Sequence, residues 1–139
     1  MTRRVEFHET DMAGIVHFSN FFRYMEAAEV AFLRSRGLKV SWHEGAKRYG
    51  FPRVSATCDY FKPARFDDLL AITVTLEQVG SKSVTYVHEF RRGDELLARG
   101  RITAVYVHVD EHQQMKAVEI PQEIRDKLLT ESLASPEAS

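Results

Sequence analysis

The sequence predicts an α+β fold: one curled antiparallel β-sheet wrapped around a single long buried helix, with a short helix near the C-terminal end. Three observations predict it. Between Asn20 and Leu33, ten of fourteen residues are apolar or small, so the segment reads as a helix with almost no polar face. From Phe51 onward the apolar period changes from helical to two, the spacing of strands. The links between these later segments are short and turn-like, which makes neighbouring strands antiparallel hairpins.

The elements follow in order. Arg3 to His8 alternates apolar and polar residues as a short strand does, and Asp11-Met-Ala-Gly14 breaks it. Ser19 stands where an N-cap belongs, and Gly37, after Arg34 and Arg36, is a stop signal. Only Asn20, Arg23, Glu26 and Glu29 interrupt the apolar helix, so it is expected to be buried all round. Val54, Ala56, Cys58 and Tyr60 line one face of the next strand, with Leu70, Ile72, Val74 and Leu76 on its successor. Val84, Tyr86, His88 and Phe90 make a third, Leu96 to Val109 a long fourth, and Met115 to Ile120 a last one. Pro121 then opens a helix from Gln122 to Leu133. Residues 1–133 read as one domain, and 134–139 as a frayed tail.

Burying ten such side chains, at roughly 1.5–3 kcal/mol for each large one, drives the sheet to curl around the helix. A single sheet leaves edges open, which favours pairing with a second copy.

Composition narrows the function. Nineteen basic and twenty acidic residues give a net charge of −1, with no general field to attract nucleic acid or an anionic membrane. The lone Cys58 cannot form an internal disulfide and fits a reducing compartment. No apolar run has signal-peptide or membrane-spanning length, so a cytoplasmic, soluble protein is expected.

One stretch carries chemistry. Glu9-Thr-Asp11-x-Ala-Gly14-Ile-Val, followed by Phe18, Asn20, Phe21 and Glu26, resembles the hot-dog-fold thioesterases of the 4-hydroxybenzoyl-CoA thioesterase type. The resemblance continues through Asp59 to Asp68, Gly80-Ser-Lys-Ser83 and Ile120 to Arg125, and so spans about residues 3 to 130. It implies an acyl-CoA thioester hydrolase, a homodimer or homotetramer with its active site at the subunit interface. Coenzyme A is then part of the substrate and no separate cofactor is needed. The resemblance makes Asp11 the nucleophile or general base and the backbone N–H of Phe18 the oxyanion donor.

The physical reasons stand independently. A positioned carboxylate supplies general-base assistance worth about 10²–10⁴-fold or acts as a covalent nucleophile. The first N–H groups of a helix meet a developing oxyanion with a positive dipole end. Asp followed three residues later by Gly is also ordinary type I turn chemistry, with Gly14 permitting close backbone approach.

Other positions follow from the same resemblance. His17 stands where relatives commonly carry Tyr or Trp. It could orient water or protonate the leaving thiolate, or simply begin the helix. Glu26 and Trp42 match positions bordering the acyl site of aryl-CoA relatives. Glu26 is equally a polar residue on an apolar helix, and Trp42 equally core. Lys82 matches one basic position used on the CoA phosphates. Its neighbours Gly80 and Ser81 are not basic, which leaves Arg65, Arg91 and Arg92 as substitutes. Glu9 reads as solvated.

The competing functions are an acyl-carrier-protein thioesterase, a dehydratase of the enoyl class, and an acyl-CoA sensor without turnover. The dehydratase lacks a paired His and acid motif. The sensor has no use for a carboxylate aimed at the carbonyl.

Two further signals lead nowhere. His108-Val-Asp-Glu-His112 spells H-x-x-E-H, which binds metal only on a helix. In an extended run the two histidines stand roughly 13 Å apart. Arg92-Gly93-Asp94 reads as a hairpin turn.

Overall fold

A computed structural model of the chain describes residues 1–130. The expected frayed tail 134–139, and positions 131–133 of the expected last helix, lie outside the described residues.

Five strands form the main sheet in the order β1-β5-β6-β7-β4, all antiparallel. Their ranges are β1 Thr2–Arg4, β4 Arg53–Tyr60, β5 Leu69–Val79, β6 Ser83–Arg92 and β7 Glu95–Val105. Helix α1, Asn20–Ser35, lies across this sheet, and its 16 residues make it about 24 Å long. Alternation places Leu70 and Ile72 of β5 and Val84, Tyr86, His88 and Phe90 of β6 against the helix, as their spacing predicts. The Arg92–Glu95 link is a tight hairpin turn, with Gly93 at φ +59°.

Gly100 of β7 marks where helix and sheet come closest. A β-carbon there would strike the Met25 sulfur and sit 3.0 Å from the Thr57 carbonyl oxygen.

The helix ends where expected, at Ser35 before Gly37 with φ +73°, and departs from expectation in two ways. Ser19 has helical φ and ψ and makes no side-chain cap. Burial is one-sided: Phe21, Tyr24, Met25, Ala28 and Leu33 are inside, whereas Phe22, Ala27, Val30 and Ala31 are only half-buried. One chain's sheet can cover only one side of a cylinder. Glu29, read as an interruption, is fully buried, and Arg53 of β4 holds its Oε2 at 2.7–2.9 Å.

Strand β4 is an edge, so the face expected to pack inward is largely open: Val54 is 63% exposed and Tyr60 43%. Cys58 is only half-buried there. The first strand is shorter than its alternation suggests, because Phe7–Glu9 coil into a 3₁₀ turn.

The long strand expected from Leu96 to Val109 breaks at Tyr106. There β8, Val107–Val109, leaves for a second, four-stranded sheet of order β2-β3-β8-β9. Tyr106 and Val107 are consecutively buried, which no single flat strand allows, and the Tyr106 N–H donates to the Lys82 carbonyl at 2.8 Å. β2 (Ser41–Glu44) and β3 (Lys47–Gly50) form a hairpin that sequence patterning misses, and β9 is only Met115–Ala117. Helix α2, Gln122–Leu129, buries Leu128 against the lower core.

Candidate active site

The segment between β1 and α1 is a tight loop closed by backbone pairing. Thr10 and Val16 bridge, the Asp11 N–H donates to the Ile15 carbonyl at 2.9 Å, and the His17 N–H donates to the Glu9 carbonyl at 2.9 Å. The Gly14 N–H returns to the Asp11 carbonyl at 2.9 Å, and Gly14 stands at φ +80°, where a side chain is strained. The Val16 N–H ties the loop to the Ala64 carbonyl at 2.8 Å.

Asp11 makes the turn that its spacing with Gly14 predicts. Its Oδ1 accepts the Ala13 N–H at 2.9 Å, the Asx-turn bond that shapes the loop. Its Oδ2 has no protein hydrogen-bond partner among the described residues, and the side chain is half-exposed. A carboxylate held by one oxygen and free at the other can attack a carbonyl or take a proton from water.

The chain passes from Val16 directly into the start of α1. The N–H groups of Asn20, Phe21 and Phe22 bond back to the His17, Phe18 and Ser19 carbonyls respectively, whereas the Phe18 N–H donates to nothing among the described residues. It is the unpaired donor at the positive end of the helix. The Phe18 carbonyl accepts the Tyr60 hydroxyl at 3.0 Å, which ties this peptide to strand β4, and the Phe18 ring is 61% exposed. Burial pushes the Tyr60 hydroxyl up to about 12, so it stays a donor across neutral pH.

His17 stacks on Phe18 with ring centroids 4.5 Å apart. Its Nδ1 lies 2.7 Å from the Ser19 hydroxyl and accepts the Ser19 N–H at 3.3 Å, so a neutral ring carries its proton on Nε2.

Glu9 is not solvated. It is 5% exposed, and its carboxylate accepts from the Glu6 N–H, the Tyr24 hydroxyl and Arg3 at 2.6–2.9 Å. Burial raises its affinity for a proton, but the three donors outweigh that and hold the carboxyl below its ordinary value. Sequence reasoning missed it because its partners come from three separate segments.

The remaining candidates lie apart. Glu26 is exposed on α1, with no hydrogen-bond partner or ion pair among the described residues. Trp42 sits at the opposite end of α1, where it, Tyr49, Tyr106 and His108 form the aromatic floor of an open cleft of about 780 Å³. None of the residues lining that cleft belongs to the Asp11 loop. Lys82 is exposed in the β5–β6 hairpin, outside the cleft lining. Arg92 is committed to Asp68 and Glu95, and Arg91 to Glu89, which leaves them poor substitutes for a phosphate clamp.

Comparison with known proteins agrees with this architecture. The family profile described as the thioesterase-like superfamily matches residues 5–128. The 4-hydroxybenzoyl-CoA thioesterase of Pseudomonas sp. (strain CBS-3) is 30% identical over 129 residues, covering 87% of this chain and 90% of that protein. The 1,4-dihydroxy-2-naphthoyl-CoA hydrolase of Synechocystis sp. is 28% identical over 114 residues, 81% of this chain and 83% of that one. A solved 1,4-dihydroxy-2-naphthoyl-CoA thioesterase from Synechocystis superposes with a TM-score of 0.79 at 25% identity, over 92% of this chain and 93% of its own. The curled sheet around α1 is the hot-dog fold.

Proposed function

Because this chain belongs to the thioesterase-like superfamily, we propose that it is an acyl-CoA thioester hydrolase whose reacting carbonyl sits between Asp11 Oδ2 and the Phe18 N–H. The observation that carries the proposal is the free Phe18 N–H at the end of the loop that holds Asp11. Water adds to the thioester carbon, the C–S bond breaks, and a carboxylic acid and CoA thiol leave.

Asp11 can serve in two balanced ways. As nucleophile it forms a mixed anhydride and expels the thiolate, and water then cleaves the anhydride and frees Asp11. As general base it takes the proton of the attacking water. In both, the oxyanion develops against the Phe18 N–H, where losing one donor costs about 10²–10³ in rate. We assign His17, whose Nδ1 is held by Ser19, to protonate the leaving sulfur in its imidazolium form. A thioester carbonyl is electrophilic enough, and a thiolate leaves readily enough, for this chemistry to need no metal.

A second copy of the chain completes the pocket. The half-buried face of α1, with Phe22, Ala27, Val30 and Ala31, and the open edge β4 support pairing. Glu26 faces that junction and borders the acyl group. The cleft under Trp42, about one helix length from the Asp11 loop, serves the Asp11 of the other copy. Lys82 then meets the CoA phosphates. The free Cys58 accords with a reducing cytoplasm. No helix among the described residues is long and apolar enough to cross a membrane.

The experiment is Asp11→Asn, assayed for thiol release from benzoyl-CoA, 4-hydroxybenzoyl-CoA and hexanoyl-CoA. The variant keeps its far-UV spectrum and loses about 10²–10⁴ in kcat on whichever substrate the parent prefers. Undiminished thiol release would remove the mechanism.

A further inference from the structure

The Asp11 loop and the start of α1 are joined through one buried residue, by its side chain and its main-chain carbonyl. Glu9 stands two residues before Asp11. Its Oε1 accepts the Glu6 N–H at 2.8 Å and the Tyr24 hydroxyl at 2.9 Å, and its Oε2 accepts Arg3 Nη2 at 2.6 Å. Its own carbonyl accepts the His17 N–H at 2.9 Å and Asn20 Nδ2 at 2.8 Å. Five hydrogen bonds thus tie this one residue to β1, to the 3₁₀ turn, to the residue before Phe18 and to the first two turns of α1. Asn20 and Tyr24 are themselves buried, so the helix side of the clamp cannot drift.

We propose that Glu9 is a positioning residue that sets the separation between the Asp11 carboxylate and the Phe18 N–H, a role that rests on the assignment of those two groups to the thioester reaction. A displacement of about 1 Å between groups flanking a reacting carbon costs on the order of 10²-fold. The side chain must be a carboxylate, because all three of its partners are donors. An amide in its place presents its NH₂ to Arg3, or to the Glu6 N–H and Tyr24 hydroxyl, and one arm of the clamp opens.

The test is Glu9→Gln and Tyr24→Phe, each alone and each combined with Asp11→Asn, on the best acyl-CoA of the panel above. Leu128→Ala, buried in the lower core among residues remote from the loop, controls for lost stability. Glu9→Gln is expected to lower kcat by about 10- to 100-fold with KM within about twofold, and Tyr24→Phe by a smaller factor in the same pattern. In the Asp11→Asn background both losses vanish, since a misplaced carboxylate no longer matters once it is gone.

A general weakening of the fold gives a different result: Leu128→Ala lowers the melting temperature and leaves kcat alone. Glu9→Gln folded and within twofold of parental kcat overturns the proposal. So does an equal fractional loss with and without the Asp11 carboxylate. Should Glu9→Gln fail to fold, Tyr24→Phe decides by the same two criteria. Failure of the underlying assignment is separately visible, as full activity in Asp11→Asn alone.

Discussion

The Tyr60 hydroxyl, at the end of edge strand β4, donates to the Phe18 carbonyl at 3.0 Å, on the peptide that follows the proposed oxyanion donor. The edge strand therefore holds the helix start from outside while the Asp11 loop holds it from inside. Removing that hydroxyl should loosen the donor without touching the carboxylate. Tyr60→Phe is expected to lower kcat about threefold to tenfold and to cost about 0.5–1.5 kcal/mol of stability. Steady-state thiol release and urea unfolding measure the two effects.

Mixing defective chains tests whether Trp42 acts on the partner's substrate. On the proposed pairing of two copies, the Asp11→Asn and Trp42→Ala proteins are each expected to be impaired. Co-refolded in equal amounts, they should recover about a quarter of parental activity, because half the dimers are mixed and each mixed dimer has one intact site of two. Activity no greater than the average of the two parents places Trp42 outside the partner's site.

Gly100 on β7 lies under Met25. Gly100→Ala should destabilise the fold by about 1–3 kcal/mol, since the new methyl meets both the Met25 sulfur and the Thr57 carbonyl. Adding Met25→Ala frees the flexible side but leaves the backbone oxygen at 3.0 Å, so the double variant stays below the parent in thermal unfolding.

Glu29 and His88 give opposite pH signatures. Burial raises the Glu29 carboxyl above its ordinary value, against the opposing pull of Arg53. The folded state therefore favours protonated Glu29, and the stability this adds is lost as pH rises through the raised value. Arg53→Met removes the opposing pull and should cost about 3–5 kcal/mol at neutral pH, with much of that recovered toward pH 4.5.

Burial pushes His88 down from 6.5 to about 4. The unfolded chain then binds the extra proton first, so stability falls as pH drops from 6.5 toward 4. His88→Leu should flatten that acid limb, as urea midpoints between pH 4 and 7 will show.

Where local pattern decides, the sequence is enough. The inward rows Leu70–Ile72 and Val84–Phe90 and the end of α1 near Gly37 follow from periodicity and from a residue free to adopt positive φ. The Asp11 turn is legible for the same reason, since Asp and Gly three apart make a loop whatever surrounds it.

Tertiary structure alone decided the rest. It buried Glu9, by bringing Arg3, Glu6 and Tyr24 to its carboxylate, and buried Glu29 beside Arg53. It turned an alternating segment into the exposed edge β4, broke β7 from β8 at Tyr106, and set Trp42 in a cleft whose lining includes no residue of the Asp11 loop. The physical reason is common to all of these. Whether a polar group is buried, or an apolar face covered, depends on partners distant in the chain, and neither periodicity nor spacing carries their positions.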